Sequence, residues 1–206
     1  MKQEIDTIIF DLGGVLVDWN PAYVYRPVFN NDEEKVQWFL KTVCTSDWNN
    51  EQDSGRTIEE AVAIKIKEFP QYEKWIRVFY NEWHHMFSGP IKENVALFQQ
   101  LKASGNYKIY ALTNWSAEKW ELALKLFPFF NNFNGVVVSG QEKTRKPNPE
   151  LFKILMNRYE IISKKAIFID DNKENILAAK TLNFHGILYK NPLQLLETLH
   201  TYHIKY

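Results

Sequence analysis

A single cysteine, Cys44, serves the whole chain. No intrachain disulfide can form from it, and a lone thiol makes no zinc cluster. An excess of one charge is also missing, since 25 Lys and Arg balance 25 Asp and Glu. That balance argues against a general nucleic-acid binder and against adhesion to anionic membranes. No apolar run approaches the roughly 18 residues of a membrane-crossing helix. The start, Met1-Lys2-Gln3-Glu4-Ile5-Asp6, carries acids early and no apolar signal core, so the expected compartment is the cytoplasm. Repeats and low-complexity stretches are absent too. What is plentiful is aromatic: 7 Trp, 10 Tyr and 14 Phe in 206 residues. A chain of that length can bury a core without staples.

Thr7-Ile8-Ile9-Phe10-Asp11 is a short apolar run that ends in a carboxylate and then Gly13-Gly14. Such a run reads as a strand buried on both faces of a parallel sheet. The pattern returns at 107–112 before Thr113-Asn114, at 135–138 before Ser139-Gly140, and at 166–169 before Asp170-Asp171-Asn172, with a weaker run at 186–189. Helical patterns lie between. One stripe holds Val95, Phe98 and Leu101 and stops at Gly105. Ser116 is placed to cap the next helix, and Asn148-Pro149-Glu150 and Asn191-Pro192 are start signals. Strands alternating with helices predict a Rossmann-like α/β fold, a parallel sheet flanked by helices.

Residues 17–90 break the rhythm. They show no strand and read as helices: Val36, Phe39 and Val43 share a face, Thr57-Ile58-Glu59-Glu60 is a capping box, and Tyr72, Trp75, Phe79 and Trp83 form an apolar stripe. The expected organisation is an α/β core of residues 1–16 and 91–206, with residues 17–90 inserted as a helical cap. Hinges are expected near Leu16-Val17-Asp18 and Ser88-Gly89-Pro90, which would let the cap move as a lid.

Ligands of parallel sheets bind beyond the carboxyl ends of the strands. Those ends supply Asp11, Thr113-Asn114 and Asp170-Asp171, and the loop after the run at 135–138 supplies Lys143, Arg145 and Lys146. Each has an ordinary explanation alone: a turn aspartate, a helix start, a solvated lysine, a capping run. Their joint occurrence at successive strand ends is what those explanations leave over. Carboxylates crowded together are costly unless protonated or shared with a cation. Mg²⁺ suits them, because it takes carboxylates together with phosphate oxygens.

Phe10-Asp11-Leu12-Gly13-Gly14-Val15-Leu16, Leu112-Thr113-Asn114, Arg145-Lys146-Pro147-Asn148-Pro149 and Phe168-Ile169-Asp170-Asp171-Asn172-Lys173-Glu174-Asn175 resemble, in order, the four motifs of the haloacid dehalogenase (HAD) superfamily. The helical insert is similar to the C1 cap of its subfamily I. The resemblance implies that Asp11 attacks phosphorus and forms an aspartyl-phosphate, and that Thr113 and the Asn114 N–H hold the phosphoryl group. Lys146 would offset charge. Asp11, the Gly13 carbonyl and Asp171 would bind Mg²⁺ with help from Asp170, and Asn175 would order the ligands behind the metal. Most phosphatases of the superfamily read Asp-x-Asp in the first motif. Asp11-Leu12-Gly13 lacks the second acid and resembles a subgroup that includes bacterial glucose-1-phosphate phosphatases.

Three functions follow. The leading one is a Mg²⁺-dependent phosphatase of a small phosphorylated metabolite, with sugar phosphates the best fit. A 2-haloacid dehalogenase is the second, opposed by carboxylates that would repel its substrate. The third is a catalytically weak protein that senses a phosphorylated ligand. Trp19 and Asn20 should lie at the site mouth. The segment Asp47-Trp48-Asn49-Asn50-Glu51, with Asp53, is either a sugar-binding stretch with Trp48 as platform or a plain helix connection. His84-His85 is too isolated for a metal site. The expected partner is the metabolite alone, with no nucleic acid and no membrane, on a monomer or weak homodimer.

Overall fold

In the computed structural model, which describes residues 4–206, Thr7–Phe10 forms β1 at the centre of a five-stranded parallel sheet. Residues 1–3, the start of the stretch assigned to the core, lie outside the described residues. The other strands of this sheet are β4 (Lys108–Thr113), β5 (Gly135–Val138), β6 (Ala166–Asp170) and β7 (His185–Leu188). Their spatial order is β5-β4-β1-β6-β7. Phe10 lies level with Ala111 of β4 and Ile169 of β6, so Asp11 leaves the sheet between those two strands. The chain works outward from β1 to β5 and then crosses back to β6. The crevice made by that reversal opens beside β1, where α/β ligands bind.

Successive strand residues feed opposite faces. Ile8, Phe10, Ile109 and Ile169 join one apolar cluster, while Ile9, Tyr110, Leu112 and Phe168 join another. Helices α6 (Lys92–Ser104), α7 (Ala117–Leu126) and α11 (Pro192–Thr201) cover the first face with Phe98, Leu101, Trp120 and Leu199. On the second face α9 (Pro149–Tyr159) and α10 (Lys173–Thr181) supply Leu151, Phe152 and Ile176. Each fully buried Ile, Leu or Phe contributes about 1.5–3 kcal/mol, so these layers outweigh the surface ion pairs, worth about 0–1 kcal/mol each. The start and stop signals act as read. Asn148 accepts the Glu150 N–H (3.0 Å), Asn191 accepts the Gln194 N–H (2.9 Å), and Gly105 turns left-handed at φ 69°. Ser116 sits at the N-cap of α7, but its side chain makes no capping bond.

Between β1 and α6 lie α1 (Ala22–Val28), α2 (Glu33–Thr42), α3 (Ser46–Gln52), α4 (Ile58–Glu68) and α5 (Glu73–Asn81). The Thr57–Glu60 capping box is present at α4. Much of the aromatic excess packs here: Tyr25, Phe29, Phe39 and Trp75 meet at centroid distances of 4.8–6.0 Å. The expectation of helices throughout this segment needs correction. Val17–Trp19 (β2) and Phe87–Pro90 (β3) pair antiparallel, with Val17 opposite Pro90. Strands this short, one ending in Gly-Pro, carry no readable alternation, and only the partner reveals them. The two expected hinges are therefore one ribbon. Ser88 donates a hydroxyl hydrogen bond across it to the Asp18 carboxylate, which also accepts from the Tyr23 hydroxyl of α1. The short α8 (Ser139–Glu142) follows β5.

Candidate active site

β1 delivers Asp11 to the carboxyl edge, where its N–H donates to the Ile169 carbonyl (2.8 Å) and its Oδ1 accepts the Leu12 N–H (2.7 Å). The chain then folds back on itself, with the Leu16 and Val17 N–H groups both donating to the Leu12 carbonyl. Gly14 makes this bend at φ +74°, and a Cβ there would lie 2.9 Å from Asp171 Cγ and collide with its carboxylate. Gly13 has an ordinary φ and open space around a Cβ. Gly14→Ala should therefore cost about 1–3 kcal/mol of folding stability from backbone strain alone. Gly13→Ala should cost far less. Urea unfolding of both variants checks this, and equal losses would refute it.

Lys146 is fully buried. Its Nζ meets the Leu112 carbonyl at 2.8 Å, Asp170 Oδ2 at 2.7 Å and Asp11 Oδ1 at 2.9 Å. All three ammonium hydrogens thus have partners. Asn114 fixes the loop that brings Lys146 in: its Nδ2 donates to the Lys146 carbonyl (3.0 Å) and its Oδ1 accepts the Lys146 N–H (2.8 Å). Asp170 is also fully buried, and both its oxygens accept from Asn175 Nδ2 at 3.0 Å. The Asn172 N–H adds a third donor at 2.8 Å. Asp171, by contrast, is exposed, beside Gly14. The Thr113 hydroxyl is buried without a hydrogen-bond partner.

Asp11, Asp170 and Asp171 each bring a carboxylate oxygen within 4.8 Å of the others. Three carboxylates against one ammonium leave a surplus of negative charge. Burial pushes the Asp11 carboxyl up to about 8, with Asp170 and Asp171 adding to the rise and Lys146 opposing it. Asp171, though exposed as a residue, is raised by partial desolvation of its carboxyl against the cluster and then by Asp170. Burial pulls Lys146 down, but Asp11 and Asp170 outweigh it, so its proton is held more tightly than usual. A donor set of hard oxygens with too little positive charge suits a divalent cation. The unpaired Thr113 hydroxyl suits an incoming oxygen ligand.

A cavity of about 260 Å³ opens over this cluster. Asp11, Gly13, Asn114, Asp171 and Asn175 lie on its core side, and Trp19, Trp83, Phe87 and Trp115 give it aromatic walls. Asn49, Asn50, Asp53 and Tyr80 reach it from the helical segment. Thr113, Lys146 and Asp170 are buried and absent from the lining. One expected mouth residue, Asn20, and the platform reading of Trp48 need correction. Asn20 Oδ1 accepts the Ala22 N–H (2.9 Å) at the start of α1, and the residue does not line the cavity. Trp48 is no platform: it is buried against Phe79 and Tyr80, and its Nε1 donates to the Ala61 carbonyl (3.1 Å). Tyr80, Phe87 and Trp115 line the cavity unannounced by any pattern, because an aromatic residue in sequence reads as core. A larger hollow, about 970 Å³, opens at the amino ends of the strands beside Ile5, Tyr107 and His185. No carboxylate cluster faces it among the described residues, so chemistry rather than size selects the smaller cavity.

The haloacid dehalogenase-like hydrolase profile matches residues 8–188, and the chain belongs to that family. A phosphorylated carbohydrates phosphatase of Thermotoga maritima is 25% identical over 187 residues, covering 89% of this chain and 84% of the relative. A sesquiterpene phosphatase of Aspergillus oryzae is 24% identical, covering 87% of each. Among solved structures, a HAD family enzyme of Bacteroides thetaiotaomicron in complex with magnesium and inorganic phosphate superposes with a TM-score of 0.67. Its identity is 25%, covering 91% of this chain and 95% of that one. A HAD-like hydrolase of Porphyromonas gingivalis, 22% identical, covers 98% and 99% with a TM-score of 0.73 and shows the shared fold. No helix is long and apolar enough to cross a membrane among the described residues.

Proposed function

We propose that this hydrolase is a Mg²⁺-dependent phosphatase of a small, hydroxyl-bearing phosphorylated metabolite. The observation that carries this reading is the cluster of Asp11 and Asp171 on the cavity lining with Lys146 and Asp170 buried behind Asp11. Asp11 is the nucleophile. Lys146 favours its ionised form and fixes it in place, and Thr113 and the Asn114 N–H receive the phosphoryl oxygens. Asp11, Asp171 and the Gly13 carbonyl would hold Mg²⁺, which when bound neutralises charge on the phosphoryl group. Asp170 serves chiefly by anchoring Lys146, because its oxygens are taken up by Lys146, Asn175 and Asn172. Asn175 in turn keeps Asp170 in place. Residues 17–90 act as the cap and residues 1–16 with 91–206 as the core, hinged at the β2–β3 ribbon.

The lining chooses among substrates. Asn49, Asn50, Ser46 and Ser116 offer amides and hydroxyls beside Trp19 and Trp83. That mixture suits a phosphorylated sugar better than an apolar phosphate, since an apolar body would strip water from these groups without replacing its hydrogen bonds. It also supports the likeness to the phosphorylated carbohydrates phosphatase over that to the sesquiterpene phosphatase. A 2-haloacid would bring another carboxylate to an already negative site.

Phosphate release from a panel of sugar, polyol and aryl phosphates, with Mg²⁺ and with excess EDTA, tests the reading. Release should stop in EDTA. Asp171→Ala should raise the Mg²⁺ needed for half activity by more than about 10²-fold, since even outer partners of metal ligands cost 10–100-fold. Its melting temperature should stay near wild type, because Asp171 is exposed. Full activity in EDTA would sink the assignment. Tight binding of phosphate esters without turnover would make the protein a sensor.

A further inference from the structure

We propose that Asp53, carried by the helical segment, gives the departing alcohol its proton and takes a proton back from the water that ends the cycle. This rests on the phosphatase reading and adds a residue to it. An alkoxide is a poor leaving group, and a positioned acid is worth about 10²–10⁴-fold in its expulsion. The donor has to line the cavity. Gly13 carries no side chain. Asp11 is needed ionised as the nucleophile. Asp171 belongs to the acidic cluster beside Gly14. The Tyr80 hydroxyl already donates to Asn49 Oδ1 (2.9 Å) and accepts from Gln52 (2.7 Å), and burial pushes its acidity far out of range. Asp53 is the remaining carboxyl of the lining.

Its placement is built rather than incidental. Asp53 ends α3, where its N–H donates to the Asn49 carbonyl (3.4 Å). Gly55 follows at φ +99°, and a Cβ there would lie 3.0 Å from Lys143 Cγ and 3.3 Å from the Gly140 carbonyl. The turn is therefore seated on α8 and the loop that carries Arg145 and Lys146. Asp53 is half-buried at the cavity, and its carboxyl makes no hydrogen bond or ion pair with protein among the described residues. Burial pushes this carboxyl up to about 7, with Arg145 and Lys146 pulling against the rise. Tyr80, Asp11 and Asp171 are the other titratable groups on the same cavity. An acid balanced near neutrality is suited to both giving and taking a proton.

The balance of the two steps is complete. A carboxylate oxygen of Asp11 bonds to phosphorus as the bond from phosphorus to the ester oxygen breaks. The ester oxygen leaves with the Asp53 proton as a neutral alcohol, and Asp53 is left ionised. Water then attacks phosphorus and gives a proton to Asp53 while the bond between Asp11 and phosphorus breaks. Inorganic phosphate departs, with Asp11 a carboxylate and Asp53 protonated as at the start.

The test is a leaving-group series with Mg²⁺ on the wild type, Asp53→Asn and the double variant Gly13→Asp/Asp53→Asn. In pre-steady-state bursts, which read the first step alone, Asp53→Asn should slow alcohol release from sugar and alkyl phosphates by about 10²–10⁴-fold and nitrophenolate release from p-nitrophenyl phosphate only a few-fold, because nitrophenolate leaves without a proton. Gly13 has room for a side chain, so the double variant should recover much of the loss on alkyl esters. An equal loss on both ester types, or none on either, overturns the assignment while leaving the phosphatase reading standing. A wild type that releases no phosphate from any ester overturns both. Folding supplies a readout independent of catalysis. Asp53 binds its proton more tightly folded than unfolded, so its contribution to stability is lost as pH rises through about 7. Asp53→Asn should gain melting temperature relative to wild type between about pH 5 and about pH 8. A difference that stays flat across that range overturns Asp53 as an acid poised near neutrality.

Discussion

Asp11→Asn is expected to abolish turnover, by roughly 10⁴–10⁶-fold as for other nucleophile deletions, and to leave the protein folded. The loss follows from position. Asp11 is the carboxylate that both lines the cavity and touches Lys146, at 2.9 Å. An amide oxygen there can still accept the Leu12 N–H, so the strand end keeps its geometry. Stability should rise under some conditions. Burial raises the Asp11 carboxyl to about 8, so the folded state binds a proton there that the unfolded state has released. That contribution is present at low pH and is lost as pH climbs through about 8. Asparagine has no such loss. In EDTA, Asp11→Asn should melt above wild type near pH 8, and added Mg²⁺ should narrow the gap by stabilising the wild-type carboxylate. Phosphate release and melting curves on the same samples check both halves. A folded variant that hydrolyses esters at the wild-type rate would remove Asp11 from the mechanism.

The five parallel strands were legible in the sequence because each is a short apolar run closed by polar residues, a pattern dictated by burial on both faces. β2 and β3 were not, because three or four residues show no period and their stability comes from each other. Asp11, Asp170 and Asp171 could be placed together from strand ends alone. Strand ends alone do not divide the labour between the last two, for which the family resemblance implied Asp171 as ligand with Asp170 helping. Asp170 is buried on Lys146 and Asn175, and Asp171 faces out, a distinction that depends on which way the chain turns after β6. The glycine that matters for backbone conformation is likewise Gly14 rather than Gly13. Cavity walls were the least legible. Trp48, the residue that reads most like a platform, is held in the core by Phe79 and Tyr80, while Trp83, Phe87 and Trp115 face the space. An aromatic side chain serves a core and a binding wall equally well in sequence, and only packing separates the two.

Lys146→Met should have the largest effect on stability. Methionine is close to lysine in shape, so the packing over the Phe168 ring can be retained and charge is what changes. Two buried carboxylates, Asp11 and Asp170, then lose their counter-charge together with the direct contacts at 2.9 and 2.7 Å. Removing one partner of a buried ion pair costs about 3–5 kcal/mol, far more than the pair itself is worth against an apolar replacement. The sign with pH is distinctive. In wild type the raised Lys146 keeps its charge throughout the neutral range, so its contribution is lost only in alkali. In the variant the unpaired carboxyls must protonate or remain charged in a dry site. The deficit should therefore shrink as pH falls and grow as it rises. Activity should disappear on every ester, whatever the leaving group, which separates the role of Lys146 from that of Asp53. Lys146→Met/Asp170→Asn should recover a large part of the lost stability and none of the activity. Urea unfolding of the two variants at acid and neutral pH measures this. A single variant as stable as the double at both would show that Asp170 does not depend on Lys146, and that the charge surplus at the strand ends is met by some other group.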